Sequence, residues 1–106
     1  MKKIASRDNP GFKSLRALVS SGRERRKQNK TVLDGIHLVQ AYRQHYGAPE
    51  QIIVSEQGMH KDEIATLLVA YPDNEILIMA DALFGEISPV ETPSGILARI
   101  TIPSIP

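Results

Sequence analysis

The chain has 106 residues, of which 42% are hydrophobic and 24% are charged, and it contains no cysteine. This length allows one domain with its own core, and the lack of cysteine excludes a disulfide framework, a thiolate nucleophile and a cysteine-based zinc site. The net charge of +1 conceals an uneven distribution, because residues 1–30 hold ten of the thirteen lysines and arginines against two of the twelve acidic residues. The resulting local net charge of +8 indicates a polyanionic partner.

Targeting and membrane signals are not evident in the sequence. The first twelve residues, MKKIASRDNPGF, are basic but lead into no apolar run, unlike a signal peptide. No apolar stretch approaches the roughly 20 residues that are needed to cross a bilayer. We therefore expect a cytoplasmic protein without a membrane partner.

The first predicted element is a helix. Asn9 can cap it, Pro10 suits its first position, and Gly22 is predicted to end it. Lys13 and Arg16 lie on the flank of its predicted buried face. That face consists of apolar residues at helical spacing, namely Phe12, Leu15, Leu18 and Val19.

Strands and helices are predicted to alternate after the basic segment. Short apolar runs predict strands, and 3.6-residue periodicity predicts helices. The predicted strands are 31–35, 51–55, 75–80 and 96–102, the last with Ile96, Ala98, Ile100 and Ile102 on one side. The predicted helices are 36–47, 61–72 and 81–88. We expect Asp81 to cap the third of these helices, and Tyr42 and Tyr46 to lie on the buried face of the first.

This alternation defines the expected fold class. Strands joined by helical crossovers of a dozen or more residues indicate a mostly parallel sheet with helices on its faces. We predict an α/β fold: a three-layer α/β/α sandwich with about four strands. Its predicted core comprises Ile52, Val54, Ile76, Ile78, Ile96, Ala98 and Ile100, packed by Phe12, Leu15, Val39, Leu67 and Leu68.

Residue patterns typical of catalysis are missing. The seven glycines are scattered and form no phosphate-binding loop, and the three histidines lack metal-ligand spacing. The adjacent acids Asp62 and Glu63 fit the start of a helix, where they complement its dipole. We therefore predict no catalytic, cofactor-binding or metal-binding residue in this chain.

The basic N-terminal third carries the candidate site. Arginine and lysine neutralise nucleic-acid phosphates, and arginine adds bidentate contacts. The candidate RNA contacts are Lys13, Arg16, Arg23, Arg25, Arg26, Lys27 and Lys30. Since Phe12, Tyr42 and Tyr46 are expected to be buried, we predict recognition of RNA backbone and shape more than of base sequence. A merely solvated charged segment is the alternative.

Three segments carry a family resemblance: IASRDNPGFKSLRAL, then RERRKQNKTVLDGIHLV, and finally ISPVETPSGILA. In order and spacing they resemble the N-terminal domain of the SpoU (TrmH-like) RNA 2′-O-ribose methyltransferases of the SPOUT superfamily. The most specific pieces are the Arg-rich stretch up to Asp34-Gly35 and the ETPSG turn at Glu91–Gly95. Asp34 stands where the family usually has glutamate, so the charge is kept on a shorter side chain.

The resemblance implies both a fold and a role. It implies a domain similar to a small ribosomal protein that binds kinked RNA, here holding rRNA or tRNA for a catalytic domain that binds S-adenosylmethionine and forms the dimer of the parent enzyme. Residues 1–103 would be the RNA-binding domain and residues 104–106 the start of a linker. This chain alone would then neither bind S-adenosylmethionine nor catalyse. Asp34 and Gly35 are expected to be structural, and Pro93 and Gly95 to shape the last turn.

Two other functions remain open. One is a free-standing RNA-binding protein of the ribosomal type without enzymatic activity. The other is a protein-interaction module whose basic face meets an acidic partner.

Overall fold

The computed structural model describes residues 1–88 and 93–103, which contain five strands and five helices. The strands are β1 Lys2–Ile4, β2 Lys30–Asp34, β3 Gln51–Ser55, β4 Ile76–Met79 and β5 Ile96–Thr101. The helices are α1 Pro10–Ser20, α2 Gly22–Gln28, α3 Ile36–Tyr46, α4 Asp62–Leu68 and α5 Asp81–Ile87. Single 3-10 turns lie at Gly58–His60 and Asp73–Glu75. No helix in these ranges is both long and apolar enough to cross a membrane.

The strands form one mixed sheet in the order β1-β4-β3-β5-β2. β4 is parallel to β1 and β3, whereas β5 is antiparallel to both of its neighbours, β3 and β2. Strands β1 to β4 therefore run in one direction and β5 runs against them. We call the edge where β1 to β4 end the carboxyl edge, and the edge where they begin the amino edge. The predicted α/β fold with a mostly parallel sheet is confirmed, with five strands instead of about four.

The core lies on both faces of this sheet. One cluster joins α1 and α5 to the sheet and includes Phe12, Leu15, Ile53, Met79, Phe84 and Leu97. The other cluster joins α3 and α4 to the opposite face and includes Val39, Ile52, Val54, Leu67, Tyr71 and Ala98. The predicted core is buried except for Leu68 and Ile78, which are half-buried. Phe12 and Leu15 were predicted alongside Ile52, but they pack on the other face.

Several boundaries differ from the predictions. Gly22 does not end the first helix, because Ser21 caps α1 and Gly22 begins α2. Ala80 is the N-cap of α5 where Asp81 was predicted, and an Asp81 carboxylate oxygen instead accepts a hydrogen bond from the Gln57 N–H at 3.1 Å. Ile102 lies beyond the end of β5 and is exposed. The predicted linker, residues 104–106, lies outside the described residues.

Tyr71 provides a first testable prediction, about a hydroxyl in the core. Its oxygen is buried and has no hydrogen-bond partner in the described part of the chain, while the Arg43 guanidinium lies 5.1 Å from its ring centroid. Because an unpaired buried hydroxyl opposes folding, we expect Tyr71→Phe to change the free energy of unfolding by less than about 1 kcal/mol, or to raise it. Urea denaturation at neutral pH would measure this, and a loss of several kcal/mol would contradict it.

The same substitution should alter the pH dependence of stability. Burial raises the pKa of the Tyr71 hydroxyl. In the unfolded chain a tyrosine loses its proton near pH 10, while folded Tyr71 still holds its own. Stability from this group is therefore present below about pH 10 and falls as the pH rises further. Tyr71→Phe should lose less stability than wild type between pH 9 and pH 11.

Candidate nucleic-acid interface

The basic segment forms a helix of its own. Ser21 accepts a hydrogen bond from the Glu24 N–H at 3.2 Å and caps the start of α2, and Asn29 ends it in the left-handed conformation at φ 55°. The Gln28 side-chain amide donates to the Glu24 carboxylate at 3.0 Å, one turn away. Glu24 lies in the first turn of α2, and three basic residues lie in the last. These charges interact favourably with the helix dipole and stabilise the helix. Local interactions hold α2, since none of its residues is buried.

Five of the seven predicted RNA contacts are exposed: Lys13, Arg16, Arg23, Arg26 and Lys27. Lys13 and Arg16 lie one turn apart on α1. The others lie at three- and four-residue spacing on α2 and therefore share a face. Within the described residues, none of the five has a carboxylate oxygen within 4.0 Å. We call this set the basic surface.

Arg25 and Lys30, the other two predicted contacts, have partners inside the protein. The Arg25 guanidinium donates from one nitrogen to the carbonyl oxygens of Leu18 and Val19, at 2.9 and 2.8 Å. It thereby satisfies carbonyls at the end of α1 and fixes the angle between α1 and α2. Lys30 forms an ion pair with Glu50. Their RNA contacts stay a prediction. The internal contacts reduce the number of hydrogen-bond donors and the uncompensated charge that Arg25 and Lys30 have available for a phosphate.

Two other N-terminal cations, Lys3 and Arg7, are also paired. Lys3 lies 2.9 Å from a Glu56 carboxylate oxygen, and Arg7 forms an ion pair with Glu86. The Lys3 hydrogen bond and charge hold the pKa of the Glu56 carboxyl below its usual range. Because these cations are already compensated, the uncompensated positive charge concentrates on α1 and α2.

Asp34 links distant parts of the chain at the carboxyl edge. Its two carboxylate oxygens accept hydrogen bonds from the Ser88 and Ser94 hydroxyls, at 2.7 and 2.8 Å. The backbone N–H of Gly35 donates to the Ile96 carbonyl at 3.1 Å, and φ at Gly35 is 105°. This supports the structural role expected for Asp34 and Gly35. The shorter aspartate side chain reaches both hydroxyls here.

The described end of the ETPSG turn packs against the 3-10 turn after β3. Gly95 has φ 101°, and its carbonyl accepts from the Ser55 N–H at 3.0 Å. The Lys61 ammonium donates to the Ser94 carbonyl at 2.8 Å. A Cβ on Gly58 would lie only 2.3 Å from the Gly95 oxygen. Gly95 therefore shapes the last turn as expected, whereas Glu91 and Thr92 lie outside the described residues.

The described residues show an open groove and no cluster of metal-ligating side chains. They contain no group of three histidine, aspartate or glutamate side chains that could hold a metal ion. A groove of about 630 Å³ lies between α3 and α4, with His37, Gln40 and Arg43 on one wall and Asp62 and Glu63 on the other. All five are exposed. S-adenosylmethionine would remain in water there, whereas ligand pockets bury most of their ligand.

Comparison with known proteins identifies the family. Residues 9–98 match the family described as the MRM3-like substrate binding domain. The chain belongs to this family. The matched residues include α1, α2 and the chain from β2 to Ala98 in β5. No curated protein matches the chain.

Solved structures share the fold. A crystal structure of an RNA 2′-O ribose methyltransferase superposes with a TM-score of 0.76 at 24% identity, over 95% of this chain and 38% of that one. The AdoMet-bound rRNA methyltransferase from Sinorhizobium meliloti gives 0.74 at 18% identity, over 99% and 38%. The SpoU methyltransferase AviRb from Streptomyces viridochromogenes, in complex with AdoMet, gives 0.77 at 20% identity, over 91% and 36%. The chain thus spans little more than a third of these proteins.

The structure also shows what sequence reasoning missed. The serine partners of Asp34 lie 54 and 60 residues away in the chain, and no local pattern signals such a contact. Tyr46, predicted to be buried, is 62% exposed. Its position directly before Gly47 indicated this exposure, because the last residues of a helix often extend past the core.

Proposed function

We propose that this chain is the RNA substrate-binding domain of an S-adenosylmethionine-dependent RNA 2′-O-ribose methyltransferase of the SpoU class, and that the basic surface holds the RNA. Membership of a substrate-binding family and the likeness to three methyltransferase structures support the proposal. The observation that carries the RNA contact is the basic surface itself: five exposed cations on two adjoining helices, without acidic partners in the described residues.

The chemistry of the proposed contact is electrostatic. Lysine and arginine side chains that approach phosphates release condensed counterions, so affinity depends on salt and little on sequence. Arginines can form paired hydrogen bonds with one phosphate. The groups that would act include the guanidinium of Arg26 and the ammonium of Lys27, which are both exposed on α2. The RNA would be rRNA or tRNA.

The remainder of the parent protein would supply the chemistry. When bound there, S-adenosylmethionine provides the methyl group, and the exposed walls of the α3–α4 groove do not fit it in this chain. We further propose that the parent enzyme is a cytoplasmic homodimer formed through its catalytic domain. The domain described here would contribute capture and orientation of the substrate.

The salt dependence of RNA binding tests the proposal. We expect the chain to bind a mixed-sequence RNA hairpin with a dissociation constant of about 10⁻⁴–10⁻⁶ M at physiological salt. Each phosphate contact contributes about 0.7–0.9 to the slope of log affinity against log salt concentration. Arg26→Ala combined with Lys27→Ala should therefore flatten the slope by roughly 1.5. Fluorescence anisotropy at several salt concentrations measures it.

The matched control is Lys2→Ala combined with Lys3→Ala. It removes the same net charge from β1, at the opposite end of the strand order, and Lys3 is already paired with Glu56. We expect a much smaller change of slope. Equal slopes for the two double variants would contradict the proposed contact. Binding to polyglutamate as tight as to the hairpin would favour a protein-interaction module instead.

A further inference from the structure

The amino edge carries an exposed aromatic ring. Tyr46 is the last residue of α3 and is 62% exposed. Burying a tyrosine ring is favourable, so a partner that covered this ring would gain contact energy. Among the large hydrophobic residues that the structure shows as exposed, Tyr46 is the aromatic one.

Two neighbouring rings on α3 contact the Tyr46 ring. The ring centroid of Tyr42 lies 5.3 Å from that of Tyr46, at an angle of 37°, and Tyr42 is half-buried against the core cluster under α3. The imidazole of His45 lies 6.3 Å away on the same helix. A ring restrained by such neighbours loses less side-chain freedom when a partner covers its open face.

Tyr46 lies at the same edge of the sheet as the end of α2, the part of the basic surface that holds Arg26 and Lys27. α3 ends there because β3 begins at the amino edge only five residues later, and α2 leads into β2 at the same edge. The ion pair between Lys30 and Glu50 joins the start of β2 to the loop that follows Tyr46. Arg99 also faces Glu50, with its Nε 3.7 Å from the carboxylate. Lys30 and Arg99 thus compensate Glu50, and α2 brings exposed cations to this edge.

We propose that Tyr46 is a stacking platform for one unpaired base of the RNA whose phosphates the basic surface holds. The inference rests on the proposed function and adds a base contact to it. Unpaired RNA bases stack on aromatic side chains regardless of their identity, since every base has a π-face. The platform would therefore favour single-stranded over fully paired RNA without selecting a sequence.

Charge and size favour a base over a protein at this position. α2 ends at the same edge of the sheet and is cationic, which complements a polyanion. A stable protein interface buries about 800 Å² on each partner. The next exposed large hydrophobic residue on α3 is Leu38, eight residues and about 12 Å away along the helix. One ring isolated in this way suits one base.

A spectroscopic experiment tests the stacking directly. The chain contains no tryptophan, so Tyr46→Trp places a single fluorophore at the site. We expect titration with an eight-nucleotide oligoadenylate to quench its emission, with affinity equal to or above that of wild type. Inorganic polyphosphate should bind without quenching, because it offers charge but no base. Equal quenching by both probes would overturn the inference.

Affinity measurements complete the test. Tyr46→Ala should weaken oligoadenylate binding about tenfold and leave the salt slope unchanged, because stacking involves no counterion. Leu38→Ala, the matched control on the same helix, should have no effect. Unchanged binding by Tyr46→Ala, or an equal loss in both variants, would overturn the stacking platform. Self-association that Tyr46→Ala abolishes would also overturn it, in favour of protein docking. Absence of RNA binding by the wild-type chain would overturn the proposed function as well.

Discussion

Replacing Gly58 with alanine is expected to lower the free energy of unfolding by about 3 kcal/mol or more, at or above the upper end of the usual cost of overpacking. The added Cβ would lie 2.3 Å from the Gly95 carbonyl oxygen and 2.9 Å from the Ser55 hydroxyl. The nearest obstacle is backbone, which cannot rotate away. Relief requires the start of β5 to move, which breaks the 3.0 Å hydrogen bond from Ser55 to Gly95. Chemical denaturation measures the change.

Gly85→Ala is the matched control for this prediction. Gly85 lies in α5, and no heavy atom comes within 4 Å of a Cβ added there. Alanine is favoured over glycine within a helix by up to about 1 kcal/mol. We therefore expect the same chemical change to stabilise the protein at residue 85. Similar effects at both positions would show that the close approach of Gly58 to Gly95 is wrong.

Replacing Phe12 with alanine should cost about 3–5 kcal/mol, the usual range for truncating a buried phenylalanine. Phe12 is fully buried between α1 and the sheet, and it is among the largest side chains in the cluster with Leu15, Ile53 and Leu97. Its neighbours belong to several strands and helices, so they cannot all move to fill the cavity. Thermal and urea unfolding followed by circular dichroism measures the loss.

Val69→Ala is the control for Phe12→Ala, because Val69 is 86% exposed. Surface substitutions of this kind usually change stability by less than about 0.5 kcal/mol. A loss below 1 kcal/mol for Phe12→Ala would mean that α1 does not pack on the sheet as described. The basic surface would then lose the support that positions Lys13 and Arg16.

Burial on both faces of the sheet made most strands readable from the sequence. β3 has the predicted bounds, because a continuous apolar run flanked by polar residues is sufficient to define a central strand. β1 was missed because it has three residues, two of them exposed lysines. The direction of β5 could not be predicted. The direction of β5 depends on which strands it pairs with, and its pairing with β2 joins residues up to 71 positions apart.

The candidate site was readable in composition but not in geometry. The charge excess located the seven candidate cations, but α2 has no apolar periodicity and was therefore not predicted as a helix. Its cap residues, Ser21 and Asn29, were the available signals. Only the folded arrangement shows that Arg25 turns inward to the end of α1. The exposure of Tyr46 also depends on where α3 extends beyond the sheet.

The position of β5 has a consequence for the order of events during synthesis. β2 is an edge strand that pairs with β5 alone among the described strands. β5 also joins β2 to β3, so β2, the strand that follows α2, has no strand partner until residues 96–101 have been made. Pairings across such long separations form slowly. A ribosome-bound nascent chain would thus expose the cations of α2 before the sheet beside them is complete. The arrangement of cations that we propose to bind RNA would form only after β5 had left the exit tunnel.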